Sequence, residues 1–186
     1  MATTYFGHCD SSGNPGSAEG NDAANSNLIT GCNTLTYTCP GSGEQDILDL
    51  AVRAYGSSGS IRVAVYSSAG SLMAQHTNPV NVGESVAWVG AGAAITKVAN
   101  LTGGATYKLE VQPSSDSVYW AFTENSGNGN TSYSYGAFPS TLPSMDGYIR
   151  HPIMRCGVDT AAGGASIPRS NPFSRPFRQA FGRGGL

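Results

Sequence analysis

Hydrophobic and polar residues alternate along the middle of the chain with a period of two. In residues 60–67 every second side chain is a branched aliphatic one, at Ile61, Val63 and Val65. Because successive side chains of a β-strand point to opposite faces, this alternation predicts a strand with one buried face. Ser-Gly and Ala-Gly dipeptides flank the segment and predict a turn at each end.

The same alternation predicts strands on both sides of this segment. In residues 47–55, Leu48, Leu50 and Val52 fall on one face of a strand. A helix over residues 44–55 is the weaker alternative, because the segment leads directly into a turn and a strand. Further strands are predicted at residues 34–39, 71–76, 84–89, 93–99, 105–112, 117–124, 131–137 and 147–158.

So many short strands without a supported helix predict an all-β protein. Alternating strands joined by short turns pair in antiparallel sheets, and two packed sheets bury their apolar faces. We therefore expect an antiparallel β-sandwich, jelly-roll-like, with extended N- and C-terminal arms. The expected parts are an N-terminal arm or loop at 1–27, a β-sandwich domain at 28–158, and a Gly/Ala linker with a basic Phe/Arg C-terminal arm at 159–186.

The C-terminal arm differs in composition from the rest of the chain. Residues 167–186 contain four of the 10 basic residues and three of the 6 phenylalanines, and no acidic residue follows Asp159. Burying a phenylalanine is worth about 1.5–3 kcal/mol, and arginine forms bidentate contacts with carboxylates. The predicted partner-binding residues are Phe173, Arg175, Phe177, Arg178, Phe181 and Arg183.

Four fates of this arm are open, one of which is that it stays disordered. The favoured one is docking in a groove of a neighbouring subunit or another partner, where the rings are buried. The second is packing on an exposed edge of its own sandwich. Contact with single-stranded nucleic acid is the weakest, because four arginines without a basic domain give little attraction.

Charge and hydropathy narrow the classes of partner. Charged residues make up 12% of the chain and the formal net charge is -2, so no overall field favours nucleic acid or an anionic membrane. No apolar run approaches the ~20 residues that span a bilayer. Residues 1–10 lack the basic and apolar regions of a secretory signal, so we expect synthesis in a cytoplasm without export by that route.

No motif for catalysis, a cofactor or a metal is recognisable. The sequence lacks a Gly-x-Ser-x-Gly elbow, a P-loop, a Gly-x-Gly-x-x-Gly motif and a His-Glu-x-x-His motif. We therefore expect a protein that is not an enzyme and that has no cofactor and no metal. Cys32 and Cys39 are either bridged or, as favoured for a protein made in a cytoplasm, free thiols.

Aromatic residues support a second class of function. Trp120, Tyr133 and Tyr135 are candidates for stacking on a glycan in a carbohydrate-binding module. A strand directs the adjacent rings of Tyr119 and Trp120 to opposite faces, and Tyr133 and Tyr135 share a face. The alternative for all these rings is packing in the core and between the sheets.

Two segments together resemble the jelly-roll domains of bacteriophage virion proteins and bacterial surface modules. The first is GSIRVAVYSSAGSLMA at residues 59–74. The second is LTGGATYKLEV at residues 101–111, followed by VYWA at 118–121. The opening MATTYFG is similar to the start of phage tail and head accessory proteins.

The resemblance implies a virion structural protein of a tailed bacteriophage, made in the host cytoplasm. In such virions, capsid decoration or cement proteins bind other virion proteins through terminal arms, so the implied partners are the major capsid protein or neighbouring subunits of a homo-oligomer. The alternative is a carbohydrate-binding β-sandwich module that binds a host-surface glycan. Neither function implies a membrane.

Overall fold

The computed structural model describes residues 2–15, 31–32, 36–115, 117–130, 135–142 and 146–159, with the side chains of 31–32, 122–130 and 146–151 left undescribed. Within these ranges the chain forms strands and no helix, so nothing helical there is long and apolar enough to cross a membrane. The strands are β1 (Thr3–Gly7), β2 (Gly31–Cys32), β3 (Tyr37–Thr38), β4 (Glu44–Gly56), β5 (Ser60–Ser67), β6 (Leu72–His76), β7 (Val80–Asn81), β8 (Ala87–Val89), β9 (Ile95–Lys97), β10 (Leu101–Thr102), β11 (Thr106–Pro113), β12 (Val118–Trp120), β13 (Phe122–Asn130), β14 (Asp146–Pro152) and β15 (Met154–Asp159).

The strands pair antiparallel in two sheets. Sheet 1 has the order β1-β15-β4-β10, and β8 and β12 also pair with β4. Sheet 2 has the order β14-β13-β2-β11-β5-β6-β9, with β3 on β11 and β7 on β5. From β8 to β13 each strand lies in the sheet opposite to the strand before it. The predicted all-β, antiparallel sandwich is therefore confirmed.

One large apolar cluster lies between the two sheets. β5 contributes Ile61, Val63 and Val65, as its alternation predicts, and β4 contributes Leu50 and Val52 from the other sheet. Burial of each such side chain is worth about 1.5–3 kcal/mol, so contact between the two apolar faces is the main stabilising interaction of the sandwich.

A β-bulge in sheet 1 changes which residues of β4 face the core. Gly157 pairs with Asp49 but Val158 pairs with Ile47, so Leu48 is an extra residue in β4. Leu48 is 37% exposed, whereas Leu50 is fully buried. The prediction that they share a face is wrong for Leu48, because an inserted residue reverses the alternation of a strand.

Several predicted boundaries also differ from the structure. Residues 3–7 of the predicted N-terminal arm form β1, an edge strand that pairs with β15. The predicted strands 117–124 and 147–158 each span two observed strands that lie in opposite sheets. In the predicted strand 131–137, the described residues 135–137 do not form a strand. Apolar alternation continues where a chain passes between sheets, so the pattern alone does not mark the break.

Candidate functional site

Aromatic and arginine side chains alternate across the outer face of sheet 1. In the strand pairing, Tyr5 lies opposite Gly157, Arg155 opposite Ala51, Trp88 opposite Arg53, and Tyr119 opposite Tyr55. Each of these residues has a neighbour along its strand that is buried in the core, so its own side chain points outward; the buried neighbours are Phe6, Val52, Ala54, Val89, Val118, Trp120, Met154 and Cys156. By strand, the row runs from Tyr5 on β1 and Arg155 on β15 to Arg53 and Tyr55 on β4, and Tyr119 on β12 and Trp88 on β8 also pair with β4.

Arg155 joins four separate parts of the chain. Its guanidinium carbon lies 4.6 Å from the ring centroid of Tyr5 and 4.6 Å from that of Trp88. Its Nε donates to Asp49 Oδ2 at 3.0 Å, and its Nη1 donates to the Gly13 carbonyl at 2.8 Å. The Arg155 and Asp49 side chains are only 12% and 8% exposed. We call Tyr5, Asp49, Trp88 and Arg155 the arginine clamp.

Small residues make room for the arginine clamp. A Cβ atom on Gly157 would lie 2.8 Å from Tyr5 Cε1, and one on Gly13 would lie 2.9 Å from Arg155 Nη1. Ala51 is fully buried although it lies on the outer side of β4. Larger side chains at these positions would displace the arginine or the rings, so the clamp depends on three residues that contribute no charge.

The residues that follow β1 fold back along its edge. Tyr5 N–H donates to the Ser11 carbonyl at 3.1 Å. The Asp10 carboxylate accepts hydrogen bonds from the side-chain amide and backbone N–H of Asn14 and from the backbone N–H of Ser12. These bonds, first that from the Asn14 side chain, hold the pKa of Asp10 below its ordinary value. The turn therefore covers part of an edge that could otherwise pair with another chain.

The other end of the row consists of Arg53, Tyr55, Trp88 and Tyr119, which we call the Arg53 patch. All four side chains are partly exposed. The rings of Tyr55 and Tyr119 are stacked, with centroids 5.4 Å apart and planes inclined by 25°. In the described part of the chain, the ion pairs are Lys97–Asp46 and Arg155–Asp49, and no carboxylate lies within ion-pair distance of Arg53.

The outer face of sheet 2 is covered by the chain itself. Residues 135–142 cross it, and Phe138 packs on Tyr66 and Leu72. The Phe138 N–H donates to Gln75 Oε1 at 3.0 Å, and the Tyr66 hydroxyl donates to the Pro139 carbonyl at 2.8 Å. This segment therefore buries part of the outer face of sheet 2, whereas no described segment crosses the outer face of sheet 1 in the same way.

The structure separates the residues predicted to stack on a glycan. Trp120 is 1% exposed and packs in the core, so its ring offers no surface to a sugar and the prediction is wrong for this residue. Tyr119 is the outward-facing ring of that pair. Tyr135 is partly buried, and its hydroxyl lies 2.9 Å from Ser60 Oγ. Tyr133 lies outside the described residues.

The predicted partner-binding residues also lie outside the described part of the chain. They are Phe173, Arg175, Phe177, Arg178, Phe181 and Arg183. Their role in binding a neighbour therefore stays a prediction.

The described cysteines are not arranged for catalysis. Cys9, Cys39 and Cys156 are free thiols, so the alternative of a Cys32–Cys39 bridge is wrong. Burial raises the pKa of Cys9 to about 11 and that of Cys39 to about 11, and it raises the pKa of Cys156 well above its ordinary value. The thiol form, which is a weak nucleophile, predominates at neutral pH. Among the described residues no group of three or more His, Cys, Asp or Glu side chains could hold a metal ion.

Sequence reasoning missed Arg53, Tyr55, Asp49 and Arg155 as members of one surface. The sequence contains part of the information needed to find this surface. A strand at residues 47–55 places every second residue on the face opposite to the apolar one. The sequence pattern does not show that β8, β12 and β15 lie beside β4, and only that arrangement brings the rings and arginines together.

No protein-family model, curated protein or solved structure matches this chain. Its function is therefore inferred from its residues and their contacts.

Proposed function

We propose that this protein is a bacteriophage virion structural protein, a capsid decoration or cement protein that binds neighbouring subunits through its terminal segments. The observation that carries the proposal is the distribution of charge along the chain. Residues 1–159 contain all 12 acidic residues and six of the 10 basic residues, a net charge of -6. Residues 160–186 contain the other four basic residues and no acid, a net charge of +4. Opposite charges on two segments favour association between them.

The phenylalanines of the C-terminal segment add an apolar contribution. Phe173, Phe177 and Phe181 recur at every fourth position, between arginines. Aromatic and arginine residues supply much of the binding energy of protein interfaces when they are buried together. The N-terminal segment offers a precedent within the molecule, because β1 adds to the edge of sheet 1 and is held there by Arg155. We propose that the C-terminal segment attaches to a neighbouring subunit by similar chemistry.

The test removes residues 167–186 from the otherwise intact chain. We expect the full chain to form oligomers or to bind virion proteins, and the shortened chain to be a folded monomer. Molar mass from light scattering and far-ultraviolet circular dichroism measure the two properties. A full-length control with Arg175, Arg178 and Arg183 each replaced by lysine keeps the charge, and it should retain more binding than the corresponding glutamine variant. Equal association of the full and shortened chains would contradict the proposal.

A carbohydrate-binding module is the second candidate function, and the Arg53 patch favours it. Tyr55 and Tyr119 lie partly exposed on a sheet face that no segment in the described ranges crosses. Exposed tyrosine rings combine an apolar face, on which a sugar ring can pack, with a hydroxyl group that can form a hydrogen bond. This candidate predicts that the intact protein binds glycans on an array and that Tyr119→Ser weakens the binding. An array without any bound glycan would count against it.

A further inference from the structure

The arginine clamp shows how one arginine on the outer face of sheet 1 is satisfied. Arg155 contacts the rings of Tyr5 and Trp88, and it has a carboxylate partner in Asp49. Guanidinium groups that are partly removed from water are stabilised by such a combination of ring faces and charge-assisted hydrogen bonds.

The strand pairing places Arg53 among aromatic residues of the same row, and the described residues give it no carboxylate partner. It lies opposite Trp88 in the pairing of β4 with β8, and two residues before Tyr55, which stacks on Tyr119. Its side chain is partly buried, yet the described residues provide no carboxylate comparable to Asp49. An anionic ligand would supply the component that the described residues do not provide.

We propose that the Arg53 patch binds an acidic saccharide. The carboxylate of a uronic or sialic acid residue pairs with the Arg53 guanidinium, and the sugar ring packs against Tyr55 and Tyr119. The inference rests on the carbohydrate-binding candidate and adds to it the charge of the ligand and the residue that recognises that charge.

The size of the patch favours a saccharide over a protein partner. A stable protein interface buries about 800 Å² on each side. The patch consists of four side chains, each only partly exposed, and the neighbouring Ala51 and Ala121 are buried. Four partly exposed side chains supply less surface than such an interface needs.

Because the surrounding domain is negatively charged, binding of an anionic polymer depends on the local positive charge of Arg53. Residues 1–159 carry a net charge of -6, which repels an anionic polymer. Attraction must then come from a local contact with the guanidinium, so its removal should abolish selectivity for the acid.

The test measures binding of the intact protein to matched polymers by titration calorimetry. The carboxylate polymers are polygalacturonate and polysialate, and the neutral polymers are methyl-esterified polygalacturonate and dextran. We expect one or both carboxylate polymers to bind at least about tenfold more tightly than the neutral ones. Arg53→Gln and Tyr119→Ser should each weaken that binding at least about tenfold. Lys108→Gln is the matched control, because it removes one positive charge from β11 in the other sheet and should leave binding unchanged.

Three results would overturn the proposal. Equal binding of neutral and acidic polymers, unaffected by Arg53→Gln, would reject the role of Arg53 while leaving the carbohydrate-binding candidate intact. Binding of polyglutamate as tight as that of the acidic polysaccharides, and equally dependent on Arg53, would point to an acidic protein partner. Absence of binding to every polymer by a protein with native circular dichroism would reject both the inference and the candidate on which it rests.

Discussion

At the scale of single residues, one buried histidine connects the two sheets. His76 is fully buried. Its Nε2 lies 2.8 Å from the Leu50 carbonyl in sheet 1, and its Nδ1 accepts the Val63 N–H in sheet 2 at 3.2 Å. An amide N–H only donates, so Nδ1 carries no proton and the Nε2–H donates to Leu50. The imidazole is therefore neutral and its tautomer is determined by the two sheets.

This geometry predicts a loss of stability in mild acid. Burial lowers the pKa of His76 below its ordinary value of 6.5. The positive charge of Arg62 also lowers this pKa, whereas the hydrogen bond to Leu50 and the negative charge of Asp49 raise it by less. The unfolded state takes up its proton near pH 6.5 and the folded state only at lower pH. The stabilisation is thus fully present above about pH 6.5 and is lost as the pH falls through the folded-state pKa.

Urea unfolding at a series of pH values between about 8 and 5 measures this effect. The free energy of unfolding of the native protein should fall below about pH 6.5, and His76→Gln should remove part of that slope while lowering stability at every pH. An identical slope in the native protein and the His76 variant would reject the assignment.

A glycine makes room for the same imidazole. Gly90 has φ +96°, and a Cβ atom there would lie 2.4 Å from His76 Cε1 and 2.8 Å from the Leu50 carbonyl oxygen. Gly92 has φ +72° but no heavy atom within 4 Å of a Cβ. Gly92→Ala should cost about 1–2 kcal/mol from backbone strain alone, and Gly90→Ala about 1–3 kcal/mol more from overpacking. Denaturant unfolding of both variants checks this, and equal losses would show that contact with His76 is unimportant.

At the scale of elements, β4 organises sheet 1. It pairs with four other strands of the sheet, which are β8, β10, β12 and β15. The bulge at Leu48 reverses the alternation of β4, so that odd-numbered residues face the core before Asp49 and even-numbered residues face it afterwards. As a result Asp49 faces outward and can pair with Arg155, which in turn attaches β1.

Removal of Arg155 should therefore release β1 from the sheet. Arg155→Gln leaves Asp49 mostly buried without its cation, and we expect a loss of about 3–5 kcal/mol in the free energy of unfolding. Amide hydrogen exchange of Thr3–Gly7 should rise more than that of β5. Lys97→Gln breaks the ion pair with Asp46, whose side chains are 38% and 49% exposed, and it should cost less than about 1 kcal/mol. Equal effects of the two substitutions would contradict the role of the arginine clamp.

At the scale of the whole molecule, the two outer sheet faces differ. Residues 135–142 cover sheet 2, where Phe138, Tyr66 and Leu72 form a second apolar cluster. Sheet 1 has no such cover over the Arg53 patch in the described part of the chain, and its rings remain partly exposed. As far as the described residues show, one sheet face is thus covered and the other is open, and the C-terminal segment carries charge opposite to that of the sandwich.

The sequence by itself determined the fold class and most strand positions, because alternation with a period of two is a local property. The residues 60–67 that it assigned to a strand are β5, with the predicted residues in the core. It also singled out the basic, phenylalanine-bearing segment, since charge and ring content are read directly from composition. Only the tertiary structure decided that Leu48 faces outward, that Trp120 is buried, and that Arg53 lies opposite Trp88. These properties depend on which distant strands become neighbours and in what register, and a one-residue shift in register moves a side chain from one face of a sheet to the other.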